Sequence, residues 1–128
     1  MSQFILDASA VLALLSREKG WEGVEQAIAA GSAISTVNVA EIVSKLSDTG
    51  MPETAISQVL DLLALEIIDF NQSLAHQTGM LRPLTRHAGL SLGDHACLAL
   101  ARARNLPALT TDQAWEKLAL DVSVQLIR

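Results

Sequence analysis

Apolar and polar positions divide the chain into short hydrophobic runs and longer stretches of helical periodicity. Short apolar runs, typical of buried strands, lie at 3–6, 33–35, 66–70, 107–110 and 122–127. Between them, apolar residues recur every three or four positions, as on one face of an amphipathic helix. This spacing predicts helices over 8–15, 21–30, 38–46, 52–63, 71–84, 91–104 and 113–118.

Strands that alternate with helices require crossover connections, so the pattern predicts a mostly parallel sheet with helices on both faces. No repeat, linker or low-complexity tract divides residues 1–128, and we expect a single α/β domain. Sheets of this kind bind ligands beyond the carboxyl ends of their strands. Asp7 directly follows the predicted strand at 3–6, and Asp112 lies two residues after the end of the predicted strand at 107–110.

The composition is typical of a folded domain that has more apolar surface than its own core requires. Of the 128 residues, 50% are hydrophobic and 18% are charged, which excludes a disordered or fibrous chain. We expect no signal peptide and no membrane span, because the first residues lack a basic start and no apolar run is long enough. The lone cysteine, Cys97, favours a reducing cytoplasm. Trp21 and the apolar faces of helices 21–28 and 56–63 are candidate partner surfaces, although internal packing explains most of their residues.

The net charge of −5 argues against simple electrostatic binding to nucleic acid. Four of the acids, however, are candidates for one metal site: Asp7, Glu41, Asp94 and Asp112. Without these four, ten acids oppose nine bases and the balance is −1. The acidic composition is therefore compatible with a phosphate substrate that binds through metal ions.

Each acid also has an ordinary structural explanation. The two strand-end aspartates can be helix N-caps, Asp94 can form a capping box with Ser91, and Glu41 can pair with Lys45 one turn later. Their joint placement near the ligand-binding edge favours a common role. Close carboxylates repel each other, which raises their pKa values or recruits a cation, and Mg²⁺ or Mn²⁺ prefers such oxygen ligands.

Other catalytic chemistries fit less well. Cys97 has no second cysteine, and His76, His87 and His95 lack the spacing of zinc ligands. We interpret His95, beside Asp94, as a histidine on the helix surface. The sequence has no glycine-rich phosphate loop and no Gly-x-Ser-x-Gly elbow.

Four stretches of the sequence closely resemble the motifs of PIN domains, in particular those of VapC-type toxins from toxin–antitoxin pairs. They are ILDAS at 5–9, NVAE at 38–41, LSLGDHACLALA at 90–101 and LTTDQAW at 109–115. The resemblance spans nearly the whole chain, and all four acidic positions are present. It implies a PIN-like three-layer α/β/α fold with a mostly parallel central sheet of four or five strands.

The same resemblance implies a metal-dependent endoribonuclease that hydrolyses RNA phosphodiester bonds with metal-activated water. Carried over to this sequence, the ligands of Mg²⁺ or Mn²⁺ are Asp7, Glu41, Asp94 and Asp112. Ser9 and Thr111 would position a water or a phosphate oxygen, and ordinary capping or turn chemistry explains them equally well. Arg82 and Arg86 are candidate RNA contacts if one helix continues through Pro83.

The resemblance also implies partners. Related toxins form homodimers and are held by a small VapB-type antitoxin, whose C-terminal segment lies across the active-site groove. Expected partners are therefore an RNA substrate, a cognate antitoxin and a second copy of the chain, with no membrane.

The residues alone leave three alternative functions open. The same metal site would serve a DNA-directed nuclease, because the chemical step touches only a phosphodiester. A receiver-like or flavodoxin-like regulatory domain would use Asp7 as a phosphoacceptor or metal ligand. Such a regulator would place a lysine after a late strand, where this chain has Thr111 and Asp112. A catalytically silent binding module is the third possibility.

Overall fold

The computed structural model describes residues 1–127 and contains a five-stranded sheet with the strand order β3-β2-β1-β4-β5. Every neighbouring pair of strands is parallel. The strands are short and lie at Phe4–Leu6 (β1), Ser32–Ser35 (β2), Glu66–Ile68 (β3), Ala108–Thr110 (β4) and Val124–Leu126 (β5). The predicted parallel sheet is confirmed, and β1 is its central strand.

Helices connect the strands in the predicted order. The α-helices are Ala8–Leu15 (α1), Trp21–Ala30 (α2), Thr36–Asp48 (α3), Glu53–Leu63 (α4), Gln72–Gly79 (α5), Arg82–Thr85 (α6) and Leu92–Arg104 (α7). Two 3₁₀ helices follow α6 and β4, at Arg86–Ala88 and Gln113–Lys117. Within residues 1–127, no helix is both long enough and apolar enough to cross a membrane.

Two hydrophobic cores cover the two faces of the sheet, which gives the expected three layers. Because side chains alternate along a strand, Ile5 of β1 joins one core and Leu6 joins the other. The Ile5 core lies under α5 and α7, and the Leu6 core lies under α1, α2, α3 and α4. The neighbouring strand β4 repeats this division, with Ala108 on the first side and Leu109 on the second.

One predicted helix is wrong in its continuity. The pattern over 71–84 predicts a single helix, but α5 ends at Gly79 and a separate turn of helix begins at Arg82. Asn71 caps α5 as its residue type favours, since its side chain accepts a hydrogen bond from Leu74 N at 2.9 Å. The break follows from Gly79 and Pro83, which weaken helix propagation from both sides. Arg82 and Arg86 therefore do not share the face of one continuous helix.

Candidate active site

Asp7 stands at the carboxyl end of the central strand and is almost completely buried. Its Oδ1 accepts hydrogen bonds from Ser9 Oγ at 2.7 Å and from Ala10 N at 2.9 Å, which makes it the N-cap of α1. Its Oδ2 accepts a hydrogen bond from Thr110 Oγ1 at 2.7 Å. Every one of these donors belongs to β4 or the first turn of α1, so the carboxylate is fixed at the sheet edge.

Burial dominates the electrostatics of Asp7. Desolvation raises the pKa of this carboxyl from 3.8 to about 6, and the negative charge of Asp94 adds to the rise. Hydrogen bonds from Ser9, Thr110 and Ala10 lower the pKa without cancelling the effect of burial. An ionised Asp7 is therefore costly in the free protein, and a nearby cation would relieve that cost.

Glu41 reaches the same region from α3, where Asn38 holds its carboxylate. The Asn38 side chain is 1% exposed, and its Nδ2 donates hydrogen bonds to Glu41 Oε1 at 2.7 Å and to the Gly93 carbonyl oxygen at 3.1 Å. Both partners are acceptors, which fixes the orientation of the amide. Asn38 thus ties α3 to the first turn of α7. Its Oδ1 is buried without a hydrogen-bond partner among the described residues.

Gly93 provides the space that Glu41 occupies. A Cβ at position 93 would overlap the Glu41 carboxyl group, including Oε1, Oε2 and Cδ. The Glu41 carboxylate therefore lies directly against the N-terminal turn of α7. The positive end of the helix dipole favours a negative charge at this position.

Asp94 lies in that same turn and does cap the helix. Its Oδ2 accepts a hydrogen bond from Ser91 N at 2.9 Å, and Ser91 Oγ accepts one from Asp94 N at 3.2 Å. This is the capping box that the sequence pattern predicts. One carboxylate oxygen is engaged in the cap, and the other has no partner among the hydrogen bonds of residues 1–127. Capping is therefore compatible with a second role.

Three of the four acids line one groove of about 800 Å³: Asp7, Glu41 and Asp94. Ser9 and Lys45 also lie in its wall. Cys97 is completely buried, and burial raises the pKa of its thiol well above the usual value. The negative charges of the same three acids add to this rise. The Glu41–Lys45 ion pair, the alternative explanation of Glu41, does not form, since no such pair occurs among the described residues.

Asp112, the fourth acid, does not line this groove. Its Oδ1 accepts a hydrogen bond from Ala114 N at 2.9 Å, which caps the 3₁₀ helix at Gln113–Lys117. Its backbone N donates to Thr110 Oγ1 at 3.0 Å, and the same hydroxyl donates to Asp7. Thr110 therefore links Asp112 to the groove through one shared oxygen.

The carboxylates suit a hard cation that keeps part of its water shell. In residues 1–127, no group of three His, Cys, Asp or Glu side chains is close enough together to hold a metal ion. Mg²⁺ does not require such a group, because it is usually bound by one or two carboxylates together with water and substrate phosphate. No lysine or arginine in that range pairs with Asp7, Glu41 or Asp94. Three oxygen-donor acids without a basic partner fit such an ion.

The remaining sequence predictions have mixed outcomes. Ser9 lines the groove, and Thr111 is linked to it, because Thr111 N donates to Ser9 Oγ at 3.1 Å. Arg82 and Arg86 are exposed and are not in the groove wall. The prediction that His95 lies on the helix surface is wrong, since His95 is 6% exposed and its Nε2 lies 2.6 Å from Thr85 Oγ1.

Sequence reasoning does not single out Thr110, Asn38 or Gly93 as individual site residues. Thr110 and Asn38 are polar residues at positions that the apolar pattern would bury, 0% and 1% exposed. A buried polar side chain needs a partner, so these positions carry a usable signal. Gly93 is a glycine inside the first turn of a helix, where alanine would favour the helix more.

Comparisons with known proteins agree with this fold. Residues 4–120 match the family model of the PIN domain. The fold resembles a VapBC structure from Salmonella typhimurium bound to DNA, with a TM-score of 0.78, 18% identity and 100% of each chain covered. It also resembles VapBC2 from Rickettsia felis bound to a promoter fragment, with a TM-score of 0.74, 21% identity and 96% and 97% of the two chains covered. VapBC-1 from nontypeable Haemophilus influenzae gives a TM-score of 0.73 at 16% identity, with 97% of each chain covered. No curated protein matches the sequence.

Proposed function

The chain belongs to the PIN-domain family, and from that premise we propose that it is a metal-dependent endoribonuclease, the toxin of a type II toxin–antitoxin pair. The observation that carries the proposal is the convergence of Asp7, Glu41 and Asp94 on one open groove at the carboxyl end of the parallel sheet. They come from three separate elements, α1, α3 and α7 with their caps. Helix capping alone explains Asp7 and Asp94 but not the position of Glu41.

Asp7, Glu41 and Asp94 would hold Mg²⁺ or Mn²⁺, with Asp112 contributing beside them. A divalent cation bound there would supply an activated water and neutralise charge that develops on the phosphate and the leaving oxygen. Thr110 and Ser9 hold Asp7 in place, and Asn38 holds Glu41. Ser9 and Thr111 would orient a water or a phosphate oxygen at the edge of the groove.

RNA is the proposed substrate because the sequence motifs resemble VapC-type toxins. The groove is open to solvent rather than enclosed, which suits a strand lying across it better than a small molecule that must be enclosed. Arg82 and Arg86 lie outside the groove wall and would contact only a longer strand. The proposed partners are a VapB-type antitoxin and a second copy of the chain. The antitoxin proposal is supported by the fold likeness to chains that were solved as VapBC complexes.

The test is cleavage of a defined RNA pool by the purified protein. We expect cleavage with Mg²⁺ or Mn²⁺, no cleavage with EDTA, and no cleavage by Asp94→Asn purified in the same way. Parallel digestion of single-stranded DNA decides between the two nucleic acids. Cleavage that persists in EDTA or in Asp94→Asn would contradict the proposed site.

The toxin role has its own test in cells. Expression of the chain alone should arrest growth, and expression of Asp7→Ala should not. Co-expression with the product of a neighbouring small open reading frame should restore growth, and the two proteins should purify together. Growth arrest by Asp7→Ala would separate toxicity from the acidic groove.

A further inference from the structure

A second pocket adjoins the groove that holds the three acids. This pocket has a volume of about 310 Å³ and shares three wall residues with the groove: Ser9, Leu12 and Lys45. Because the two spaces share these side chains, they lie next to each other along α1 and α3. A strand lying over the acids would therefore pass close to this pocket.

Lys45 is the cationic side chain at the junction. It follows Glu41 by one helical turn on α3, and within residues 1–127 it is the only lysine or arginine in the wall of either space. Its side chain is exposed and forms no ion pair with any acid of that range. The ammonium group is therefore free to bind an anion, at a distance of one turn from the acidic centre.

Most of the surface of the second pocket is apolar, with polar groups at several points of its wall. It carries the hydroxyl groups of Ser16, Thr49 and Thr111, with Glu18 as its one acid. Hydroxyls both donate and accept hydrogen bonds, which suits a ribose with its 2′-hydroxyl as well as phosphate oxygens. The apolar part of the wall includes Leu12 and Leu46.

We infer that this second pocket is a nucleotide subsite, in which Lys45 binds the phosphodiester next to the one that is cleaved. The inference rests on the proposed nuclease function. It specifies the place at which the substrate strand continues beyond the three acids. A polyanion that lies beside three carboxylates needs a local positive charge, and a chain of net charge −5 supplies little elsewhere. Lys45 supplies it without being a ligand of the cation.

The first experiment measures binding without cleavage. A fluorescent single-stranded oligoribonucleotide is titrated onto Asp94→Asn protein, with Mg²⁺ present, over a range of salt concentrations. Adding Lys45→Gln should weaken binding about fivefold and reduce the salt slope by about 0.7, the value expected for one single-strand phosphate contact. Lys45→Arg should retain the slope. The matched control is Lys117→Gln, which removes the same charge from the exposed end of the 3₁₀ helix at Gln113–Lys117 and should leave the slope unchanged.

The second experiment measures cleavage by otherwise wild-type protein. Lys45→Gln should raise KM about fivefold and change kcat little, because Lys45 binds the strand away from the reacting atoms. Ser16→Phe, which fills the second pocket from its exposed rim, should slow long substrates more than substrates that end one nucleotide beyond the cleaved bond. An unchanged salt slope and KM in Lys45→Gln, with normal wild-type cleavage, would overturn the subsite alone. Absence of RNA cleavage by the wild type with either metal would overturn both proposals.

Discussion

Gly93 and Glu41 fit together as a small residue and the carboxylate that fills its space. Any Cβ at position 93 would overlap the carboxyl group of Glu41. This contact joins α3 to the first turn of α7 and sets the distance between Glu41 and Asp94. The acidic groove thus depends on a residue that has no chemistry of its own.

Gly93→Ala should therefore impair catalysis while leaving the fold intact. The added methyl group displaces the Glu41 carboxylate, whereas α7 itself gains about 0.5–1 kcal/mol from replacing a helical glycine. We expect a loss of cleavage of about tenfold or more with little change in the thermal melting curve, measured by circular dichroism. Gly23→Ala is the matched control, because the Cβ that alanine would add at position 23 of α2 has no described atom within 4 Å apart from its chain neighbours and the backbone of its own helix. Equal activity in both variants would show that Glu41 tolerates displacement.

We expect substitutions of Asn38 to reduce both the stability of the fold and the activity of the site. Asn38→Ala removes the donor to Glu41 and to the Gly93 carbonyl oxygen, and should cost about 1–3 kcal/mol of unfolding free energy. Asn38→Asp keeps the shape but places a second carboxylate 2.7 Å from Glu41 Oε1, so it should reduce activity further. Urea denaturation and cleavage rates of the two variants test this order. The reverse order of activity would mean that Asn38 serves only as a packing residue.

The strands, the helices and the three acids of the groove can be predicted from the local sequence pattern. The polar residues that hold those acids, Thr110 and Asn38, cannot. Apolar runs and helical spacing are properties of neighbouring residues, so β1, α2 and α7 lie close to their predicted positions. The contact between Asn38 and Gly93 joins residues 55 positions apart, and that between Thr110 and Asp7 joins residues 103 apart. Only the packed sheet brings such pairs together. The surface prediction for His95 fails for the same reason, since its partner Thr85 lies on a helix that the sequence pattern does not separate from α5.

Thr110 should matter through its hydroxyl rather than its size. Thr110→Val keeps the β-branched shape in β4 but removes the donor to Asp7 Oδ2 and the acceptor for Asp112 N. We expect a stability loss of about 1–3 kcal/mol and a further rise in the pKa of Asp7, because a hydrogen bond that lowers it is lost. Thr110→Ser should restore both. If Val and Ser behave alike in denaturation and cleavage, the hydroxyl has no such role.

The raised pKa of Asp7 predicts a pH dependence of stability in the metal-free protein. Between pH 3.8 and about 6 the folded protein binds this proton more tightly than the unfolded chain, so the free energy of unfolding falls as the pH rises through that window. The rise of the pKa from 3.8 to about 6 corresponds to about 3 kcal/mol. In EDTA, Asp7→Asn should therefore be more stable than wild type at pH 7 and should lack this component of the pH dependence. Chemical denaturation from pH 4 to pH 8 measures it, and equal slopes for the two proteins would contradict it.

Changing Asp112 or Asp94 to asparagine distinguishes a role in helix capping from a role in catalysis. Asparagine is about as good an N-cap as aspartate, so Asp112→Asn should lose less than about 1 kcal/mol of stability. Asp94→Asn keeps an amide oxygen that can accept the hydrogen bond from Ser91 N, so its loss of stability should also be small. Asp94 lines the groove, whereas Asp112 touches it only through Thr110. We therefore expect Asp94→Asn to abolish cleavage and Asp112→Asn to retain a measurable fraction of it. Mn²⁺ titrations of cleavage should show a weaker apparent metal affinity for Asp112→Asn, since the removal of a nearby negative charge reduces attraction for the cation. Complete inactivity of Asp112→Asn at saturating Mn²⁺ would instead assign Asp112 a direct contact with the metal or the substrate.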